Sequence, residues 1–82
     1  MLEMRPGCEC CDKDLPANLE GAYICSFECT FCSDCASEIL GYICPNCGGT
    51  LIPRPLRVLE KLVNSPASTV RIFNPNICKK IV

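Results

Sequence analysis

The chain has 82 residues, ten of them cysteine and none histidine, and its formal net charge is −1. At this length a hydrophobic core supplies little net stability, so the fold needs disulfides or metal ions as additional links. No stretch is suited to be a signal peptide or a membrane span, so we expect a cytoplasmic protein without a membrane partner. In a reducing cytosol this density of cysteine favours metal binding over disulfides.

The first predicted element is a short β-hairpin over residues 22–31, which are rich in aromatic and β-branched side chains. A short helix follows over residues 35–40, with Ser33 or Asp34 as its N-cap and Gly41 at its end. Residues 50–52 are predicted to form a strand. We expect the following side chains to form a core around metal ions and not a recognition surface: Phe27, Phe31, Ile39, Leu40, Tyr42 and Ile43.

The composition changes at residues 53–55, which read Pro-Arg-Pro. This change divides the sequence into a cysteine-rich domain of residues 1–52 and a C-terminal extension of residues 53–82. Apolar residues at helical spacing predict a helix over about residues 56–63 of the extension. Beyond it, β-type residues flank Asn74-Pro75-Asn76 and predict a β-hairpin over residues 70–82.

Charge is distributed unevenly between these two parts. Residues 1–52 carry two basic and eight acidic side chains, a balance of −6, whereas residues 53–82 carry six basic and one acidic, a balance of +5. Thiolates bound to metal ions would make the first part still more acidic, so that it would repel phosphate. The basic extension is expected either to fold back on this acidic region or to pair with it in a homodimer.

Eight of the cysteines form four close pairs, three with CxxC spacing and one with CxxxC spacing. A CxxC turn brings two thiolates to one ion while nearby backbone N–H groups donate to the sulfurs. Four pairs supply the eight ligands of two tetrahedral sites, and the spacings are typical of zinc and not of iron–sulfur clusters. A redox dithiol or a disulfide framework is the alternative. The sequence therefore predicts two Zn²⁺ per chain, bound by Cys8, Cys11, Cys25, Cys29, Cys32, Cys35, Cys44 and Cys47.

The full spacing pattern resembles the RING-finger consensus, with Cys29 where that family usually has histidine and residues 44–47 as its final CPxC motif. RING fingers are cross-braced, so this resemblance implies a small metal-stabilised fold in which alternate pairs share an ion. One site would contain Cys8, Cys11, Cys32 and Cys35, and the other Cys25, Cys29, Cys44 and Cys47. A sequential arrangement, in which consecutive pairs share an ion, is the alternative.

Three longer segments, CECCDKDLP at residues 8–16, ICSFECTFC at 24–32 and CPNCGG at 44–49, resemble a family of short bacterial proteins of unknown function. The resemblance covers about residues 1–57 and implies no assigned activity. It does not extend to the rest of the basic extension.

Two cysteines remain outside the four pairs. Cys10 adjoins Cys11 and is expected to be a spare thiol, with an exchange against Cys8 or Cys11 as the alternative. Cys78 has no neighbour at metal-binding spacing and is expected to pack as a small hydrophobic residue in a strand, with a redox-sensitive thiol as the alternative.

The sequence indicates no catalytic site, because it lacks histidine and a phosphate-binding loop, and closed Cys₄ sites leave no position for an activated water. We therefore expect a non-catalytic structural zinc module that mediates protein–protein interaction, through the acidic residues 9–38 or the apolar face of the tail helix. Nucleic-acid binding through the basic extension is the alternative. Ubiquitin-ligase-like activity, implied by the RING resemblance, is disfavoured because Cys10 and Gly48 stand where such ligases commonly have an apolar and a basic residue.

Overall fold

A computed structural model describes residues 1–78 of the chain. Its sheet consists of three short antiparallel strands, β1 (Ala22–Ile24), β2 (Thr30–Cys32) and β3 (Ile52–Pro53), with β1 in the centre. Strands β1 and β2 are the arms of the predicted hairpin, which is thereby confirmed. Strand β3 begins at the last residue of the predicted strand, and Thr50 forms an isolated bridge with Ile43 instead.

The core is built largely from cysteine. Phe31 in β2 is its largest fully buried side chain, and seven of the thirteen residues in the core cluster are cysteines. Leu40 is buried as predicted, but the expected core was wrong for four side chains whose exposed fractions are 37% or more. These exposed residues are Phe27, Ile39, Tyr42 and Ile43. A core so poor in large apolar side chains cannot stabilise the fold by hydrophobic burial alone.

The predicted short helix lies where the sequence places it, but it is a π-helical turn over Cys35–Ile39. The N–H of Leu40 donates to the carbonyl of Cys35 at 2.9 Å, a five-residue hydrogen bond in place of the four-residue bond of an α-helix. In this wider turn both Cys35 and Leu40 are buried against the core. Gly41, with φ of +59°, then ends the turn as predicted.

The predicted helix over residues 56–63 is shorter in the structure, where α1 spans Leu59–Leu62. It begins late because the N–H of Arg57 donates to the carbonyl of Ala17 at 2.9 Å, and Val58 is extended. The apolar stripe is not buried: Leu59 is 67% and Val63 79% exposed. Among residues 1–78, no helix has the length and apolar character needed to cross a membrane.

The predicted β-hairpin at residues 70–82 was wrong for the residues that the structure describes, and residues 79–82 lie outside them. Pro75–Cys78 is a 3₁₀ turn. The backbone N–H groups of Ser68 and Asn74 donate to the carbonyls of Glu3 and Glu9, at 2.9 and 2.8 Å. Because these donors are directed at the N-terminal segment, they do not pair with a neighbouring tail strand.

Candidate metal centres

The first cluster of cysteines lies between the N-terminal loop, the end of β2 and the start of the π-helical turn. Its four sulfur atoms all lie within 4.8 Å of one another, and two of them, Cys11 Sγ and Cys32 Sγ, are 3.8 Å apart. A tetrahedral zinc ion with sulfurs at about 2.3 Å requires sulfur–sulfur separations of about 3.8 Å. The chain thus holds a nearly formed four-thiol site, made by Cys8, Cys11, Cys32 and Cys35.

The second cluster lies between the loop after β1 and the loop that precedes β3. The sulfurs of Cys25, Cys44 and Cys47 lie within 4.8 Å of one another. Cys29, the fourth residue predicted here, is outside the group that meets this distance. Its thiol adjoins those of Cys25 and Cys44 and accepts a hydrogen bond from Asn46 Nδ2 at 3.4 Å. The structure therefore gathers seven of the eight predicted ligands into two groups and leaves Cys29 at the rim of the second.

The loops that carry these cysteines direct backbone donors at the sulfurs. The N–H of Cys10 donates to Cys8 Sγ and that of Cys35 to Cys32 Sγ, each at 3.4 Å. In the second cluster, Phe27 and Gly49 donate in the same way to Cys25 Sγ and Cys47 Sγ, at 3.3 and 3.4 Å. Such donors stabilise thiolates more than thiols, as is typical of metal-binding turns.

Two of these turns close in the same way. The N–H of Asp12 donates to the carbonyl of Cys8, and the N–H of Gly48 to that of Cys44, each at 2.8 Å. Both donors have a positive φ, 63° for Asp12 and 80° for Gly48, which is a conformation favoured by aspartate and glycine over most other residues. This explains why Gly48 follows the last cysteine pair.

A buried carboxylate links the two clusters. Glu9 is only 3% exposed, and its side chain accepts hydrogen bonds from the N–H of Thr30 at 3.1 Å and from Asn46 Nδ2 at 3.2 Å. Arg5 Nη1 lies 3.4 Å from the same carboxylate and balances its charge. Since Glu9 lies within the first cysteine pair and Asn46 within the last, this contact joins a loop of one cluster to a loop of the other. The sequence alone did not predict this contact. The position of Glu9 and Asn46, each between the two cysteines of a CxxC pair, is the feature that could have indicated it.

The protonation of the thiols differs within each cluster. Burial raises the pKa of the Cys8 thiol, but backbone N–H donors around the sulfur outweigh this effect and lower the pKa below its usual value. For Cys25, burial is likewise outweighed by the N–H groups of Phe27 and Cys29, and its pKa is lowered. Burial instead raises the pKa of Cys44 to about 12. Burial also raises the pKa of Cys35 in the first cluster. Each cluster thus contains one thiol with a lowered pKa and at least one with a raised pKa, which must lose its proton when a cation binds.

The two unpaired cysteines of the sequence are bonded to each other. Cys10 and Cys78 form a disulfide that joins positions 68 residues apart. Cys10 is therefore not the spare thiol that the sequence predicted. Cys78 is buried as predicted but lies in a 3₁₀ turn and not in a strand. The spacing of cysteines along the sequence could not indicate this pair, because the tail has to fold back before the two sulfurs meet.

The basic extension does fold back on the acidic region of its own chain. Arg71 Nε lies 2.9 Å from Asp12 Oδ1, and Arg71 Nη1 lies 2.9 Å from Asp14 Oδ1. Arg54 is only 6% exposed and donates to the carbonyls of Arg5 and Leu15, at 2.7 and 2.9 Å. Much of the positive charge of the extension is therefore already engaged within the chain.

The fold and its clusters define a small cysteine-rich domain with two groups of thiols arranged for metal ions. The chain belongs to a family described as a protein of unknown function, DUF1272, whose model matches residues 1–57. It is 55% identical over 78 residues to an uncharacterised protein of Rhizobium meliloti (strain 1021), covering 95% of this chain and 93% of that protein. The sequence resemblance to a bacterial family of unknown function is thereby confirmed. No solved structure gives a significant match.

Proposed function

We propose that this chain is a non-catalytic structural module that binds two Zn²⁺ ions and mediates contact with a protein partner. The observation that carries the metal assignment is the first cluster, where four sulfurs lie within 4.8 Å of one another and no other ligand type takes part. All-thiolate zinc sites of this kind are closed, so the ion supports the fold and does not activate water.

The proposed coordination is cross-braced, as in RING fingers. Site one consists of Cys8, Cys11, Cys32 and Cys35, and site two of Cys25, Cys29, Cys44 and Cys47. The grouping of the sulfurs supports this arrangement because the first cluster joins the first and third pairs. Cys29 completes site two because its thiol adjoins those of Cys25 and Cys44. A sequential arrangement would require Cys25 to share an ion with Cys8, although these two residues belong to different groups.

A protein partner is supported by the apolar side chains that the fold leaves outside. Phe27 is 71% and Ile52 55% exposed. A groove of about 460 Å³ lies between Leu2, the loop that begins at Cys25, and Ile52. Exposed apolar side chains on and near a loop that carries metal ligands offer a surface that a partner protein can desolvate.

Nucleic-acid binding has less support from the described residues. Three of the four basic side chains between residues 53 and 78 are engaged within the chain: Arg54 and Arg57 with backbone carbonyls, and Arg71 with two carboxylates. Phosphate would have to compete with these partners and with the acidic charge of the zinc-binding region. Ubiquitin-ligase-like activity has no support beyond the ligand pattern.

The metal assignment is tested by measuring zinc per chain in the purified, reduced protein by elemental analysis and native mass spectrometry. We expect two zinc ions in the wild type, one in Cys47→Ser, and two in Cys78→Ser, which removes a cysteine outside both clusters and serves as the matched control. One zinc ion in the wild type, or iron in place of zinc, would contradict the proposal.

The interaction is tested separately by chemical cross-linking of the zinc-loaded chain in its native host. We expect Phe27→Ser to reduce the recovered partner several-fold while zinc content stays at two, with Asn64→Ser, at an exposed polar position after α1, as control. Equal recovery with both variants would exclude the surface beside site two, and recovery of no protein by the wild type would count against an interaction module.

A further inference from the structure

The tail is fastened across the loop of the first cluster by one covalent bond and a few weak contacts. We infer that the Cys10–Cys78 disulfide is a reversible latch: while it is closed, residues 68–78 cover the acidic face of the first cysteine loop, and its reduction releases them. This inference goes beyond the proposed zinc module and rests on it in one respect, which is that zinc holds the neighbouring thiolates.

The non-covalent contacts of the tail, among the residues that the structure describes, are few. They comprise two backbone hydrogen bonds, from Ser68 to Glu3 and from Asn74 to Glu9, and the ion pairs of Arg71. Arg71 Nη2 also donates to the carbonyl of Asp12 at 2.7 Å, and the partly buried Ile77 packs against the core. The Arg71 side chain is 37% exposed, and its partners Asp12 and Asp14 are 43% and 81% exposed. Ion pairs this exposed contribute little net stability. The covalent bond is therefore the contact that decides whether the tail stays in place.

The sheet does not depend on the latch. Cys10 lies in the loop between two ligands of the first cluster, and Cys78 ends the 3₁₀ turn, so neither residue belongs to β1, β2 or β3. The strands pair with one another through residues 22–32 and 52–53. Opening the disulfide consequently frees the tail and removes Cys78 from the edge of the core, while both cysteine clusters, which contain neither Cys10 nor Cys78, stay assembled.

The other eight cysteines are free thiols in the same small chain. A compartment that keeps them available for metal is a reducing one, and there a disulfide is typically transient or regulatory. Zinc makes the pairing selective, because Cys8 and Cys11, on either side of Cys10, are occupied as ligands. Cys10 is then the thiol of this loop that can exchange with Cys78.

The opening reaction is a thiol–disulfide exchange with a cellular thiol such as glutathione. One thiolate attacks a sulfur of the Cys10–Cys78 bond, giving a mixed disulfide and one free cysteine thiolate, which takes up a proton. A second thiolate attacks the mixed disulfide, so that two cysteine thiols and one oxidised glutathione result. Release also separates Arg71 from Asp12 and Asp14, and the acidic face of the first loop becomes accessible to a partner.

The test uses the full, zinc-loaded chain equilibrated in glutathione buffers of increasing oxidised fraction. Alkylation and peptide mapping identify the bonded cysteines, NMR follows amide hydrogen exchange, and elemental analysis follows zinc. We expect one disulfide, Cys10–Cys78, with zinc unchanged. On reduction, exchange at Ser68 and Asn74 should rise about tenfold or more, while the amide of Leu51, which bonds to Tyr42 within the body, should be unaffected.

The variant Cys78→Ser should show the fast tail exchange in every buffer, and Ser68→Ala, which keeps the disulfide, should still respond to reduction at Asn74. Three results would overturn the inference: Cys10 and Cys78 remaining thiols in the most oxidising buffer, Cys10 pairing with another cysteine, or equal tail exchange in the oxidised and reduced chain. Because zinc is measured in the same samples, a chain that binds no zinc would instead contradict the proposed function.

Discussion

The two cysteine clusters differ in how completely the chain forms them by itself. In the first, four sulfurs already lie within 4.8 Å of one another, and three of the four cysteines are buried. In the second, three sulfurs meet this distance, and Cys29 lies at the rim beside Asn46. The first cluster draws on β2 and the π-helical turn, whereas the second draws on loops. We conclude that the first cluster is the more completely formed and that the second depends more on outer contacts.

The largest expected effect is that of removing both metals. Structural zinc sites contribute on the order of 10 kcal/mol each of coupled binding and folding free energy, more than this core can supply. We expect a strong chelator to unfold the reduced chain, as seen by loss of dispersion in the NMR spectrum, and added zinc to restore it. A reduced chain that stays folded in chelator would show that the clusters are not structural metal sites.

Replacing one cysteine ligand in each cluster should affect the stability of the chain to different extents. Cys35 is 6% exposed within the complete cluster, and its replacement by serine should abolish zinc binding at site one and lower the unfolding midpoint strongly. Cys29→Ser removes a rim ligand and should leave the chain folded with site one loaded and site two weakened. The measurements are zinc content and thermal unfolding of each variant. Equal losses in the two variants would remove the distinction between the clusters.

The link through Asn46 should matter for the second site alone. Asn46→Ala removes the donor to both Glu9 and Cys29 Sγ, and loss of such an outer partner typically weakens metal affinity about 10- to 100-fold. Competition with a chromophoric chelator would show the weaker site while the tighter one stays unchanged. Asn64→Ala, at an exposed position, is the matched control. Unchanged affinity in Asn46→Ala would show that the link is incidental.

Zinc affinity should fall as the pH falls. Burial raises the pKa of Cys44 to about 12, so its thiol is protonated near neutral pH and must lose the proton when zinc binds. Each step toward acid strengthens the competition by protons and lowers the apparent affinity. Calorimetry in buffers of different ionisation enthalpy should register proton release on zinc binding. Binding without proton release would contradict the assignment of thiols as ligands.

The sequence was sufficient for the parts of this account that depend on local spacing. The cysteine pairs fall together because each CxxC turn is short enough to aim two sulfurs at one point. The hairpin of β1 and β2 follows from β-type residues around Tyr23 and Phe31. The position of the π-helical turn could be predicted from the capping residues and the glycine within residues 33–41. Its π-helical hydrogen bonding could not, because it depends on the burial of both Cys35 and Leu40 in the core.

Features that depend on contacts between distant segments could not be predicted from the sequence. Phe27 and Ile43 are exposed because cysteine fills much of the core, which apolar composition alone does not indicate. Over residues 70–78 the tail forms no hairpin, because Ser68 and Asn74 donate to the N-terminal segment. The Cys10–Cys78 bond and the contact between Glu9 and Asn46 likewise require the fold before their partners meet.

The most direct test of the central claim is a crystal structure of the reduced, zinc-loaded chain with anomalous scattering measured at the zinc edge. We expect two zinc peaks, one bound by both Cys11 and Cys32, and the other by Cys25, Cys29, Cys44 and Cys47. A single peak, or an ion shared by Cys32 and Cys47, would contradict it.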